Sequence, residues 1–325
     1  MRKGGGGFTA LLASRLWPCG GGGGGGTRHA WPRGLSLAIL RAASPLRSFS
    51  SAAFSNHGGT PSSPSPSPSP SPSPSCSTLP APTAAGLIIG DEILTGKVLD
   101  TNTQFLAKLM FERGIKLRYV EVVRDDVPQI VDALARLMGQ AELVFTSGGI
   151  GPTHDDVTYE AVAQAFGTPL AHHEETLRRM REWYQPRNVA LNESRKRMAL
   201  LPVGAKILYT PPLWVPLVVM KERCWVLPGV PQLYTRLLEH HKDLLPQGTK
   251  LHRSIIGTKM TEGDIAEALI FVQNKYPEVS IGSYPQWKNP ELSVRVTLES
   301  TSVESLAKAS SLVQEKVAGF VLPVE

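Results

Sequence analysis

Three groups of polar residues in this 325-residue chain have types and spacings suited to phosphate chemistry. The longest is Ser147-Gly148-Gly149-Ile150-Gly151-Pro152-Thr153-His154-Asp155-Asp156. Its glycines let the backbone approach an anion and turn N–H groups towards it, and a helix starting just beyond adds its positive end. Ser147 and Thr153 carry hydroxyls that can donate to phosphate oxygens. Asp155 and Asp156 would repel a phosphate unless a hard divalent cation (Mg, Mn or Co) lay between them. Asp156 also reads as the cap of a helix over 157–166, and both readings stay open. The other groups are Gly90-Asp91-Glu92 and Asp125-Asp126. Each alone is an ordinary turn or cap. All three fall after apolar runs, where an open parallel sheet binds its ligands.

Other chemistries lack their residues. Gly-Lys-Ser/Thr, Gly-x-Ser-x-Gly and His-Glu-x-x-His are absent from the sequence. Cys19, Cys76 and Cys224 lie far apart with no CxxC pair, which excludes a disulfide scaffold and a cysteine zinc site. Cys224 sits in an apolar strand and reads as core. His154 and the His172-His173 pair lack ligand spacing and read as surface residues. Arg178, Arg179, Arg181 and Arg187 read as a solvated helix face in preference to a phosphate contact.

The elements that must hold these residues begin at Ala84. Leu87-Ile88-Ile89 reads as a strand, 101–113 as a helix with Phe105, Leu106, Leu109 and Met110 on one stripe, and Leu117 to Val123 as a second strand. Asp126 caps the next helix, with Pro128 in its first turn. Leu143-Val144-Phe145 is a third buried strand, and the glycine loop leads into the 157–166 helix. Strand and helix alternate with short links. The expected fold is therefore α/β, a three-layer, mostly parallel sheet with helices on both faces. Residues 173–201 read as helical. Strands follow near 206–209, 215–220 and 224–227, then a turn at Leu227-Pro228-Gly229-Val230-Pro231 and a helix to about 245. Residues 246–325 read as a small α+β domain, with helices near 262–275 and 303–318 and strands near 251–257, 279–282 and 292–299.

The first 83 residues differ in kind: 42 of them are Gly, Pro or Ser, and none is acidic. The seven basic residues up to Arg47 account for the net charge of +6, leaving the remainder near neutral. A basic nucleic-acid-binding domain is not expected, because its charge would have to lie on the folded part. No run of about 18 apolar residues exists, so no membrane span is expected. Residues 1–55, rich in Arg, Ser, Ala and Leu, read as an organellar transit peptide, and 56–83 as a disordered Ser/Pro-rich linker. Arg47-Ser48-Phe49-Ser50-Ser51 resembles the processing site of plant mitochondrial presequences. The mitochondrion is the expected destination, with the plastid as the alternative.

Gly90-Asp91-Glu92-Ile93-Leu94-Thr95-Gly96, Asp100-Thr101-Asn102 and the long glycine motif with Val157-Thr158 resemble the molybdopterin-binding fold of the MoaB/MogA class. The nearer likeness is to CinA-type (competence/damage-inducible) proteins and the N-terminal domain of eukaryotic FAD synthase. Leu227-Pro228-Gly229-Val230-Pro231 and Ile281-Gly282-Ser283-Tyr284-Pro285-Gln286-Trp287 resemble the FAD synthase version. This resemblance implies divalent-cation-dependent hydrolysis of a nucleotide pyrophosphate such as FAD or ADP-ribose. It makes Asp125 and Asp156 the catalytic or metal-linked aspartates and Ser147, Gly148, Gly149, Gly151 and Thr153 the ligand loop, with Asp91 and Glu92 on its rim; Asp155 and Asp156 stay the metal pair read from the residues themselves. Molybdopterin adenylyltransferases usually carry Thr where this chain has Ile150, which argues against the pterin. The resemblance stops at Glu325, before the FAD-forming and amidohydrolase domains of these relatives, so those activities are not expected. The alternatives are a molybdopterin-binding or adenylyl-transferring protein and a non-catalytic flavin- or nucleotide-binding module. The expected partner is a nucleotide or pterin; a homo-oligomer is compatible with the family.

Overall fold

The computed structural model describes residues 82–287 and 289–324. The transit-peptide and linker readings lie outside these residues. The first domain runs β1 (Thr83–Ile89), α1 (Asp91–Leu94), α2 (Asn102–Glu112), β2 (Lys116–Val123), α3 (Val127–Gln140), β3 (Leu143–Ser147) and α4 (Thr158–Phe166). It continues with β4 (Leu170–His172), α5 (Glu174–Tyr184), α6 (Glu193–Lys196), β5 (Leu200–Pro202), β6 (Lys206–Leu208), β7 (Leu217–Met220), β8 (Cys224–Leu227) and α7 (Pro231–His241). The main sheet has six strands in the order β2-β1-β3-β8-β7-β6. Its first four strands are parallel. β7 and β6 return antiparallel at one edge.

Strand β1 is central, and its side chains alternate between two cores, as a strand's period of two requires. Ala85, Leu87 and Ile89 join Ile130 and Leu134 of α3 and Val162 of α4. Ala84 faces the other way, with Leu106 and Leu109 of α2 and Tyr234 and Leu237 of α7. These are the three layers. β1, β3 and β8 are buried on both faces, so their apolar runs read as continuous, while the edge strand β2 is largely exposed. Asp126 caps α3, its carboxylate accepting from Gln129 N at 3.2 Å.

One expectation fails. Residues 173–201 are not one helix. Only 174–184 are helical at length, and after a 3₁₀ turn over 185–187 Asn188 takes a left-handed φ of 52°. Pro186 has no N–H to continue the ladder, and Asn tolerates the left-handed turn. The remainder folds as short α6, a 3₁₀ turn at 197–199, and β5, which pairs antiparallel with β4.

The C-terminal domain follows as β9 (His252–Thr258), α8 (Glu262–Lys275), β10 (Ser280–Pro285), β11 (Val294–Ser300), α9 (Val303–Lys316) and β12 (Phe320–Leu322). Its four strands lie in the order β10-β11-β9-β12, every pair antiparallel. In β11, buried Val294, Val296, Leu298 and Ser300 alternate with half-buried residues. That one-sided pattern suits a sheet with helices on a single face, and α8 and α9 supply Ile265, Val272, Leu306 and Val313 to its core. Among the described residues, no helix is long and apolar enough to cross a membrane.

Candidate functional site

The ends of β1, β2 and β3 converge, as the sequence implied. At the end of β3, Gly148 has φ 111°, and an added Cβ would stand 2.0 Å from the carbonyl oxygen of Ile89. Gly149 has φ 64°, and its Cβ would stand 2.3 Å from Thr158 Oγ1 and 3.3 Å from Asp125 Oδ1. Only glycine fits either place, and the second brings Asp125 from the end of β2 over the loop. Thr158, the first residue of α4, ties the loop back: its hydroxyl donates to Gly148 O at 2.8 Å and its N–H to Gly149 O at 2.9 Å. Among the described residues, the N–H groups of Gly149 and Ile150 have no hydrogen-bond partner.

Asp125 is half-buried, and Asp91 N–H donates to its Oδ2 at 3.0 Å. Burial pushes its proton affinity above the ordinary Asp value. The Asp91 N–H opposes this, while the charges of Glu92, Asp155 and Asp91 add to the rise. Asp91 itself is gripped by Arg124, whose Nε and Nη2 meet its two oxygens at 2.9 Å each. That hydrogen-bonded guanidinium holds the Asp91 carboxyl below its usual range. Glu92 is exposed, folded back over Gly90. Asp155 is exposed, 3.9 Å from His154 Nδ1.

Asp156 is placed differently. Its Oδ1 accepts from Gly151 N at 2.7 Å; its Oδ2 accepts from Thr153 N at 2.8 Å and from the Thr153 hydroxyl. It does not cap α4, whose N-cap is Val157 with no side-chain bond. Both its oxygens face into the loop, and the carboxylate staples 151–156 together. Arg197 reinforces this from outside, donating to Thr153 O at 2.9 Å. The two hydroxyls expected to meet phosphate are turned inward as well: Thr153 donates to Asp156, and Ser147 is 2% exposed and accepts from Asn102 Nδ2 at 2.8 Å.

Beside the loop lies a cleft of about 100 Å³, walled by Ile150, Tyr159, Leu170 and Leu200, with Gly151, Asp156, Glu160 and Arg197 around it. Asn102, Glu160 and Arg197 were not picked out by the sequence reading. Asn102 stood in a recognised motif without a role. Arg197 falls in the stretch read as continuous helix, where its approach to the loop has no local signal. Cys224 is core as expected: burial pushes its thiol up to about 12. His173 is half-buried and caps α5, its Nδ1 accepting from Thr176 N at 3.3 Å.

A glycine loop and a carboxylate cluster meet at the strand ends of a parallel sheet, the place where α/β sheets bind their ligands. The family described as "probable molybdopterin binding domain" matches residues 85–247, and "FAD synthase, middle domain" matches 250–324. The chain belongs to the molybdopterin-binding domain family. A protein of Aeropyrum pernix is 31% identical over 247 residues, 73% of this chain and 92% of its own length. The CinA-like protein of Myxococcus xanthus is 39% identical over 164 residues, 50% of this chain and 38% of its own. The probable FAD synthase of Caenorhabditis elegans is 29% identical over 263 residues, 74% of this chain. This chain spans about half of that protein (51%).

Proposed function

We propose that the protein is a cation-assisted hydrolase of nucleotide pyrophosphates, with FAD or ADP-ribose as the substrate type. The observation that carries this reading is the meeting of Asp125 with the glycine loop: a half-buried carboxylate crowded by three others, beside two unpartnered backbone N–H groups. Like charges held together favour a cation or a proton between them. Among the described residues, no three His, Cys, Asp or Glu side chains are grouped to hold a metal ion by themselves. An ion of the Mg²⁺ type takes only one or two carboxylates and completes its shell with water and substrate phosphate. Asp125 would hold the ion, with at most one of the neighbouring carboxylates. The ion would supply charge neutralisation and a more acidic water.

The chain's own residues do the rest. The N–H groups of Gly149 and Ile150 meet phosphoryl oxygens as charge develops on them. Asp156, Thr153 and Arg197 keep the loop in shape. The cleft between Ile150 and Leu200 receives a heterocycle. At about 100 Å³ it has room for one ring system, well short of the roughly 300 Å³ that encloses a drug-sized ligand. In the net reaction, water oxygen bonds to one phosphorus, the bridging P–O bond breaks, and the FAD dianion plus water gives the dianions of FMN and AMP and two protons.

The family match supports a second reading, a molybdopterin-binding or adenylyl-transferring protein. It is the weaker one because Ile150 places an apolar side chain, 9% exposed, against the cleft wall where a hydroxyl would serve a pterin. A panel of FAD, ADP-ribose and a pterin, assayed with and without Mg²⁺, Mn²⁺ and Co²⁺, separates the two. AMP release that depends on the ion supports the hydrolase. Pterin binding with no hydrolysis under any ion replaces it. The proposal includes a mitochondrial address: residues 1–83 fused to a fluorescent protein should enter mitochondria, and an even cytosolic signal would refute it.

A further inference from the structure

The side chain of Asn102, the first residue of α2, is 5% exposed and joins three elements at one point. Its Nδ2 donates to Ser147 Oγ at the end of β3, at 2.8 Å, and to Gly229 O in the turn between β8 and α7, also at 2.8 Å. Its own position is fixed by Asp100, whose Oδ1 accepts from Asn102 N at 2.9 Å and Thr103 N at 3.1 Å. The amide cannot be turned round, because the Gly229 carbonyl only accepts. Oδ1 is therefore left buried with no partner.

The unpaired Oδ1 offsets only one of the two bonds that Nδ2 makes, and an apolar residue in its place would leave the Gly229 carbonyl short of a partner, at about 1–3 kcal/mol. What an apolar residue cannot do is tie the loop together. Ser147 is the residue before Gly148. On the other side, a Cβ built on Gly229 would stand 3.3 Å from Gly148 Cα, and Gly148 N–H donates to Leu227 O at 3.2 Å. We propose that Asn102 is a positioning residue for the glycine loop. By holding Ser147 and Gly229 together it clamps Gly148 and keeps the N–H groups of Gly149 and Ile150 presented. The inference concerns loop geometry and stands whichever reaction the rim performs.

Amide hydrogen exchange on the full chain without ligand tests it. In Asn102→Leu, exchange in peptides covering 147–151 and 228–230 should rise by about tenfold or more, as local opening becomes easier. The melting temperature should fall by no more than about 3–8 °C. Asn102→Ala should do the same and guards against strain from the larger leucine. In the double variant with Ser147→Ala, loop exchange should match that of Asn102→Leu alone, since both act through one contact. Three results would overturn the inference: unchanged loop exchange, a rise spread evenly over the whole sheet with a large fall in melting temperature, or strictly additive effects in the double variant.

Discussion

At the end of β2, Asp125 has a single N–H donor for its two oxygens and lies among Glu92, Asp155 and Asp91. A short way along the same rim, Asp156 has three donors for its two oxygens. The two residues looked equivalent as letters. The difference in donors decides what each can do. A carboxylate supplied with enough N–H and O–H groups is content as an anion and becomes part of the scaffold. One that is short of donors and crowded by like charge has affinity left over for a proton or a cation. In the proposed reaction, the acidic side of the rim is the reactive side, and the loop side is the cradle.

The largest effect is expected at Asp125. Asp125→Asn removes the charge around which the cation would gather, and turnover should fall by about 10²-fold or more. Its folded-state pKa is raised, so its contribution to stability is complete below the unfolded pKa and is lost as pH rises through the folded pKa. At neutral pH the ionised carboxylate is therefore a burden. The Asn variant should melt at the wild-type temperature or about 1–2 °C above it, and its stability should depend less on pH between the ordinary Asp range and neutrality. A clear fall in melting temperature would break the contrast, by making Asp125 scaffold too.

Asp156→Asn should show the opposite balance. The amide offers one acceptor where the carboxylate offered two, and it turns an NH₂ towards either the Gly151 or the Thr153 N–H. Leaving such a group unpaired costs about 1–3 kcal/mol, or roughly 3–8 °C in a domain of this size. Activity should fall mainly through a higher KM as the loop loosens. Loss of turnover with an unchanged melt would instead make Asp156 a participant in the chemistry.

How much of this was legible follows from where each signal lies. The parallel sheet was readable because Leu87-Ile88-Ile89 and Leu143-Val144-Phe145 are continuous apolar runs and the helices between them have clear stripes. The loop was readable because Gly148 and Gly149 must be glycine. The rim was readable because three polar clusters follow three strands. The roles of Asp156, Ser147 and Thr153 were not, because a sequence shows which groups can donate or accept and not which of them meet. Asn102 bonds to residues 45 and 127 positions away, beyond any local pattern. The break after Tyr184 did have a signal, Pro186 followed by Asn188, which the spacing of Leu177, Met180 and Trp183 masked.

The smallest effect expected, and the sharpest test of the acidic side, is at Arg124. Its guanidinium is paired with Asp91, and both side chains are largely exposed (63% and 49%). Exposed pairs contribute little to folding, so Arg124→Gln should leave the melting temperature unchanged within error. Its electrostatic effect should still be visible. Arg124 offsets the charge of Asp91, and Asp91 is one of the carboxylates that raise Asp125. Without the guanidinium, Asp91 acts on Asp125 at full strength, and Asp125 gives up its proton at a higher pH. The acid limb of kcat/KM against pH should therefore move upward, by less than about one unit at such an exposed site. Asp91→Asn should move it the other way. Raising the salt concentration should shrink the charge component of both shifts, because exposed charges are screened. If Arg124→Gln moved the limb downward, or abolished turnover outright, the guanidinium would be meeting the substrate directly. The acidic side would then be a phosphate clamp, and the cation would have to be sought elsewhere.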